Sequence, residues 1–299
     1  MTVTLSTSIG PGYTTTPTFE SMRFPAGEAH IKVANDNSDK GPLTETFTLT
    51  GADANDLITL GMWADAAHQR HAHTVAFIPY LPGARQDRGL PFGAKVYADI
   101  INGFHIDQII ALDPHSPVIV NLINNLTVID TAHIIRQHVI GRADSDTTAQ
   151  HYDGIIAPDK GAVARAQAVA TVCHLPLYKA EKHRNPDTGK LSGFTCETLP
   201  AAGRFLVVDD ICDGGGTFMG LAESTGLPKE RLGLFVSHGV FSGHAADLAD
   251  HYSDIWTTNS YAADPKPAGL DDTRKAAFHT ITIDQHLTRA IKAPEAALA

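Results

Sequence analysis

The stretch RFLVVDDICDGGGTFMGLAE, residues 204–223, opens with an apolar run, Phe205–Val208, of the length and content of a buried strand. It runs into two adjacent carboxylates, Asp209 and Asp210, then Asp213, Gly214, Gly215, Gly216 and Thr217, and continues as a helical pattern. Glycines let the main chain adopt conformations closed to other residues and let a ligand come close to it. The N–H groups of such a turn converge at a helix N-terminus, which is a ready site for phosphate. Thr217 adds a hydroxyl, and acids at a strand end accept hydrogen bonds from a vicinal diol, so Asp209 and Asp210 suit a ribose. The segment lacks the Gly-Lys-Ser/Thr ending of a Walker A loop. It also lacks the dinucleotide fingerprint, whose glycines follow the strand at once.

Outward from this segment, short apolar runs alternate with helical stretches, the pattern of an α/β fold. Strands are expected at 74–80, 107–113, 154–159, 204–210, 231–239 and 253–259, and helices at 55–71, 91–104, 160–173 and 216–225. In the first helix Leu57, Leu60, Trp63, Ala64 and Ala67 recur at threes and fours. The order repeats loosely, which predicts two similar domains, 1–145 and 146–299, each a mainly parallel sheet flanked by helices. HRNPDTGKLSGFTCETL (183–199) is rich in turn residues and reads as a long functional loop.

The 299 residues carry a formal charge of -10 with no basic block, so a nucleic-acid partner is not expected. No apolar run reaches the roughly 18 residues of a spanning helix, and the N-terminus does not read as a signal peptide. Three cysteines, Cys173, Cys196 and Cys212, fit neither a disulfide framework nor a zinc ribbon, so a reducing cytoplasm is expected. His68, His71 and His73 crowd one segment, and a solvated helix end is the plainer reading of them than a metal site.

Further motifs narrow the reading. IPYLPGARQDRG (78–89) offers two guanidinium forks, Arg85 and Arg88, for phosphate oxygens, and Gln86 for a base or ribose edge. LDPHSPV (112–118) places Asp113 and His115 two apart at a strand end, pointing the same way. AEKHRNP (180–186) sets Lys182 and Arg184 at alternate positions, on one side of an extended segment. APDKGAVARAQAVA (157–170), SHGVFSGHAADL (237–248) and RFPAGEAHIKV (23–33) complete the set. Taken in chain order, from Arg23 to about Ile291, the segments resemble the ribose-phosphate pyrophosphokinases (phosphoribosyl diphosphate synthetases), on the type I phosphoribosyltransferase fold, over nearly the whole chain.

The resemblance implies transfer of the β,γ-diphosphate of ATP to the anomeric hydroxyl of a phosphorylated ribose, with AMP leaving. It assigns ATP to Phe24, Gly27, Glu28, Arg85, Gln86 and Arg88, and Mg²⁺ to His115 and Asp159. It gives Lys182 and Arg184 to the transferring diphosphate, Asp209 and Asp210 to the ribose, and residues 213–217 to its phosphate. A homo-oligomer is implied as well. Two positions depart from the family. Ala26 replaces an aspartate that helps hold adenine. Gly214 stands where threonine or alanine is usual, which leaves room for a larger acceptor such as ADP-ribose. A phosphoribosyltransferase and a silent regulatory subunit of the same fold are the competing readings.

Overall fold

The computed structural model describes residues 4–8, 14–15, 19–33, 44–140, 152–184, 191–275 and 277–292. The chain divides into two compact units, Met1–Ile129 with Ile283–Ala299, and Asp130–Thr282.

The described strands of the first unit are β1 (Thr4–Ser8), β2 (Thr14–Thr15), β3 (Phe19–Arg23), β4 (Ala29–Val33), β5 (Thr44–Thr48), β6 (His73–Phe77), β7 (Gln108–Leu112) and β8 (Leu126–Ile129). Its main sheet has the order β2-β1-β5-β6-β7-β8. β5 to β8 run parallel, and β1 is antiparallel to both β2 and β5. β3 and β4 form a separate antiparallel hairpin. Its helices include α1 (Ala54–Gln69), α2 (Gly93–Asn102) and the short α3 (Pro117–Val120). Asp53 starts α1 by accepting from the Asn55 backbone N–H at 2.8 Å, which satisfies one of the orphan donors of a helix start. Leu57, Leu60, Trp63, Ala64 and Ala67 are all buried, as their spacing requires, and Trp63 meets Phe47 of β5 at 5.3 Å between rings.

The three crowded histidines do not simply decorate a solvated helix end. His68 Nε2 lies 3.5 Å from Thr74 Oγ1, and His73 Nδ1 lies 3.5 Å from Asp107 Oδ2, so two of the three are tied to neighbouring strand ends. His71 is exposed.

The second unit holds β9 (Gly154–Ala157), β10 (Leu177–Arg184), β11 (Leu191–Cys196), β12 (Phe205–Cys212), β13 (Leu232–Gly239), β14 (Asp254–Thr258) and β15 (Phe278–Ile281), in the order β11-β10-β9-β12-β13-β14-β15. All neighbours are parallel except β10 and β11. β13 is buried at every position, as a central parallel strand covered on both faces must be. Its helices include α4 (Ala132–Ile135), α5 (Val163–Cys173), α6 (Gly216–Thr225) and α7 (Asp272–Lys275). Tyr252 reaches α6 through its hydroxyl, which donates to the Phe218 carbonyl at 2.7 Å.

Two expectations need correction. The stretch 183–199 is not one long loop: β11 pairs antiparallel with β10, with Lys182 opposite Phe194. Ladder bonds and the packing of Phe194 outweigh the turn-forming residues around it, and residues 185–190 lie outside the described part. The division also differs from 145/146. Residues from Asp130 onward join the second unit, where Arg136 Nη1 donates to the Val172 carbonyl at 3.2 Å. The chain end returns to the first unit from Ile283 and adds α8 (Asp284–Arg289) to it: Gln108 Nε2 donates to the Ala290 carbonyl, and the Lys292 N–H donates to Gln108 Oε1, both at 2.9 Å. Among the described residues no helix is long and apolar enough to cross a membrane.

Candidate active site

In the second unit β12 extends two residues beyond expectation, so Asp209 and Asp210 lie inside the strand and not at its end. Asp210 is almost fully buried, and Asp209 is the more accessible of the two. From α5, Arg165 Nη1 comes within 3.3 Å of Asp209 Oδ1 and 3.7 Å of Asp210 Oδ1. The Asp210 N–H donates to Asp209 Oδ1 at 2.9 Å. Burial, and next the charge of Asp210, hold the Asp209 carboxyl well above the usual carboxylate range, while Arg165 opposes them.

Arg165 was not among the sequence candidates. A signal existed: it is the one charged residue in the helix VARAQAVATVC, and it lies three positions from the buried Ala162. A cation on the buried side of an alanine-rich helix needs a partner.

Past the acids, the loop is pinned from the β13 side. The Cys212 carbonyl accepts from the N–H groups of Val240 (2.9 Å) and Phe241 (3.1 Å), and the Asp213 carbonyl accepts from that of Ser242 (3.0 Å). The Ser242 hydroxyl also donates to Asp213 Oδ1. Gly215 has φ 80°, a left-handed conformation that favours glycine, and it precedes α6 with no side-chain cap. Phe218 and Met219 both donate to the Gly215 carbonyl at 3.0 Å, so with no side-chain cap it is the N–H groups of Gly216 and Thr217 that are left at the start of α6. A Cβ built on Gly214 or Gly216 meets nothing within 4 Å, and neither residue has a left-handed φ.

Asp159 follows β9, and its Oδ1 accepts from the N–H groups of Gly161 (2.9 Å) and Ala162 (3.3 Å). Its Oδ2 faces Lys182 Nζ at 3.4 Å, so the structure brings these two sequence candidates together. Arg184 is the last residue of β10, opposite Leu191, and its side chain lies outside the described part.

In the first unit the turn between β3 and β4 carries Phe24, Gly27 and Glu28. The Phe24 N–H donates to the Glu28 carbonyl (2.9 Å) and the Gly27 N–H to the Phe24 carbonyl (2.8 Å). Gly27 has φ 99°, which this tight turn demands. Phe24 is 43% exposed. Arg23 fastens the turn to the start of α1, with Nη2 3.3 Å from Asp53 and 3.8 Å from Asp56. Arg85 and Gln86 share a cavity of about 340 Å³ with Ala52, Tyr80, Gly83 and Tyr97. Gln86 lies so close to Gly93 that a Cβ there would sit 1.9 Å from its Oε1, so the start of α2 is shaped around this glutamine. Arg88 is 94% exposed, beside Asp87 at 3.8 Å.

His115 is exposed in the loop after β7. The expectation that Asp113 and His115 share a strand face does not hold, because β7 ends at Leu112 and Asp113 turns to φ 38°. Among the described residues no group of three or more His, Cys, Asp or Glu side chains is placed to hold a metal ion.

No family model matches the chain. A ribose-phosphate pyrophosphokinase of Bradyrhizobium diazoefficiens is 30% identical over 212 residues, 66% of this chain and 63% of that protein. The chain thus spans somewhat less than two thirds of that relative's length. One from Maricaulis maris is 28% identical over 267 residues, covering 85% of this chain and 82% of its own. One from Pasteurella multocida is 26% identical over 290 residues, covering 90% and 85%. Among solved structures, phosphoribosylpyrophosphate synthetase from Mycobacterium smegmatis superposes with a TM-score of 0.69 over 91% of this chain and 88% of its own, at 20% identity, a likeness of fold. With two mainly parallel sheets and an acid pair ahead of a glycine turn, the chain is similar over most of its length to proteins named ribose-phosphate pyrophosphokinase.

Proposed function

We propose that the chain is a magnesium-dependent diphosphotransferase that moves the β,γ-diphosphate of ATP onto the anomeric hydroxyl of ribose 5-phosphate or a 5′-substituted relative. The observation that carries this reading is the uncapped start of α6 directly after Asp209 and Asp210, which offers phosphate and ribose sites in one connected turn. The C1 hydroxyl attacks the β-phosphorus and the bond from Pβ to the bridging oxygen of AMP breaks. AMP leaves with that oxygen, and the hydroxyl proton passes to solvent. Such transfer rests mainly on positioning and charge, not on a strong base.

Asp209, with Asp210 behind it, accepts from the ribose hydroxyls, and the N–H groups of residues 214–217 with Thr217 hold the 5′-phosphate. Lys182 and Arg184 face the developing charge of the diphosphate. Phe24, Gly27, Glu28, Arg85, Gln86 and Arg88 hold the nucleotide. His115 and Asp159 are the donors that the resemblance gives to magnesium, and each, with water and phosphate oxygens, suits an ion that arrives with the nucleotide. When bound, that ion neutralises phosphate charge.

The test is direct. Purified protein, ATP, magnesium and ribose 5-phosphate should give AMP and phosphoribosyl diphosphate in equal amounts by mass spectrometry. Absence of AMP with every ribosyl phosphate offered would overturn the reading. Release of pyrophosphate from added phosphoribosyl diphosphate would favour a phosphoribosyltransferase instead.

A second reading concerns the acceptor. Gly214 needs neither glycine's backbone freedom nor its small size against any protein atom. The empty space beside it therefore suits an acceptor whose 5′-phosphate carries a further group, with ADP-ribose as the example. Gly214→Thr should then lower kcat/KM for ADP-ribose by at least about tenfold and spare ribose 5-phosphate, a steric cost of about 1.4 kcal/mol or more. Equal losses for both acceptors would reject it.

A further inference from the structure

Gly220 lies inside α6, where glycine is disfavoured relative to alanine. The reason for it is visible in the packing. A Cβ on Gly220 would sit 2.6 Å from Cε2 and 3.0 Å from Cδ2 of Phe194, so the ring lies flush on the helix backbone. Phe194 belongs to β11, and its cross-strand partner on β10 is Lys182. Directly opposed residues of an antiparallel pair project to the same face of the sheet. Lys182 therefore stands on the face of the hairpin that is docked on α6, the helix that starts at the glycine turn. Beyond Lys182 the register shifts between His183 and Arg184, and residues 185–190 separate the two strands. The Phe194 ring anchors this face of the hairpin beside Lys182, since Phe194 packs against the core formed by Phe218, Leu221 and their neighbours.

We propose that Phe194, seated on Gly220, is a positioning residue that fixes the β10–β11 hairpin on α6 and so sets where Lys182 stands relative to the glycine turn. The inference rests on Lys182 acting on the transferring diphosphate. Phe194 touches no reacting atom. Its effect passes through the hairpin backbone to Lys182, and Gly220 is the small residue that permits the seat. A ring that rides up by the size of a methyl group carries its strand, and the opposite position, with it.

The experiment is a double-mutant cycle on the full-length chain with Phe194→Ala and Gly220→Ala, plus Phe194→Leu as the conservative variant. Phe194→Ala and Gly220→Ala should each lower kcat by at least about tenfold while KM for ATP and for the acceptor stay within about threefold. Gly220→Ala favours the helix, so a fall in kcat without a fall in Tm separates misplacement from unfolding. The double variant should be no worse than Phe194→Ala alone, because the added methyl then fills space the ring has left. Phe194→Leu should recover most of the activity.

A second reading needs no turnover. The rate at which acetic anhydride modifies Lys182 in the free protein, followed by peptide mass spectrometry, should change several-fold in both single variants and not in Phe194→Leu. Losses that simply multiply in the double variant, or an unchanged modification rate, would overturn the proposal. If the wild-type protein forms no AMP, the proposed function fails by itself, and the modification rates still decide whether Phe194 positions Lys182.

Discussion

The two units offer candidate binding residues in opposite physical states. In the second unit the charged candidates whose side chains are described are already paired: Asp209 and Asp210 with Arg165, Lys182 with Asp159, and Asp213 with the Ser242 hydroxyl. In the first unit Arg85, Gln86 and Arg88 are exposed, and Phe24 shows much of its ring. A half-buried charge whose partner is removed leaves the other group uncompensated in a poor solvent. An exposed side chain loses mainly what it gains from the ligand. The same kind of truncation should therefore cost far more in the second unit than in the first.

Lys182→Ala should break this comparison most visibly if the comparison is wrong. Its ammonium is largely buried, faces Asp159, and stands opposite the anchored Phe194. Removing a preorganised charge that meets the transition state costs on the order of 10²–10³ in turnover. The expected outcome is a kcat lower by about three orders of magnitude with ATP affinity within about threefold of wild type, since ground-state binding is little affected. Steady-state kinetics with equilibrium ATP titration checks both. Wild-type turnover would remove Lys182 from its assigned role.

The parts that were legible in the sequence share a physical cause. Strands buried on two faces must be continuous apolar runs, so β12 and β13 stand out from the sequence. The turn at 213–217 is legible because glycine chemistry is local. β11 was missed for the opposite reason. Its Leu-Ser-Gly-Phe-Thr-Cys is a mediocre strand by itself, stabilised by β10 and by a helix more than twenty residues onward in sequence. Arg165 gains its meaning only once α5 is laid beside β12. The return of the chain end is further still from local pattern, since Gln108 and Ala290 are 182 positions apart. Exposed groups such as Arg88 were assigned from guanidinium chemistry and the resemblance, and the fold adds little to that assignment.

Asp209→Asn gives a second, smaller contrast, and here the sign is unusual. Burial and the neighbouring Asp210 raise the Asp209 pKa in the native state above its unfolded value. This group therefore favours folding at low pH, and its contribution is lost as pH rises through the native pKa. At neutral pH the wild type carries the cost of a buried like-charge pair that the amide does not. The variant should melt higher than wild type by roughly 2–4 °C near pH 7, the shift expected for about 1 kcal/mol in a chain of this size. The difference should shrink toward zero as pH falls through the range where wild-type Asp209 takes up its proton. Acceptor binding should weaken in the same protein, so stability and function move in opposite directions. Calorimetry between pH 4 and 8 would read the trend, and a variant that melts lower than wild type at pH 7 would contradict it.

Arg88→Ala tests the other side of the comparison and should do least. Its guanidinium is 94% exposed and lies 3.8 Å from Asp87, so the free protein gains little from it. To meet a phosphate it must give up rotamer freedom and water, which offsets most of the Coulomb attraction. The expected result is a KM for ATP raised by less than about threefold, kcat unchanged, and a difference that fades with added salt as screening shortens the reach of an exposed charge. The salt series makes the measurement sharper than the single constant. An exposed fork loses its advantage as ionic strength rises, whereas one that becomes enclosed on the nucleotide keeps it. A loss of tenfold or more that survives high salt would mean that the first unit closes on ATP and buries Arg88, and the two units would then differ only before the substrates bind.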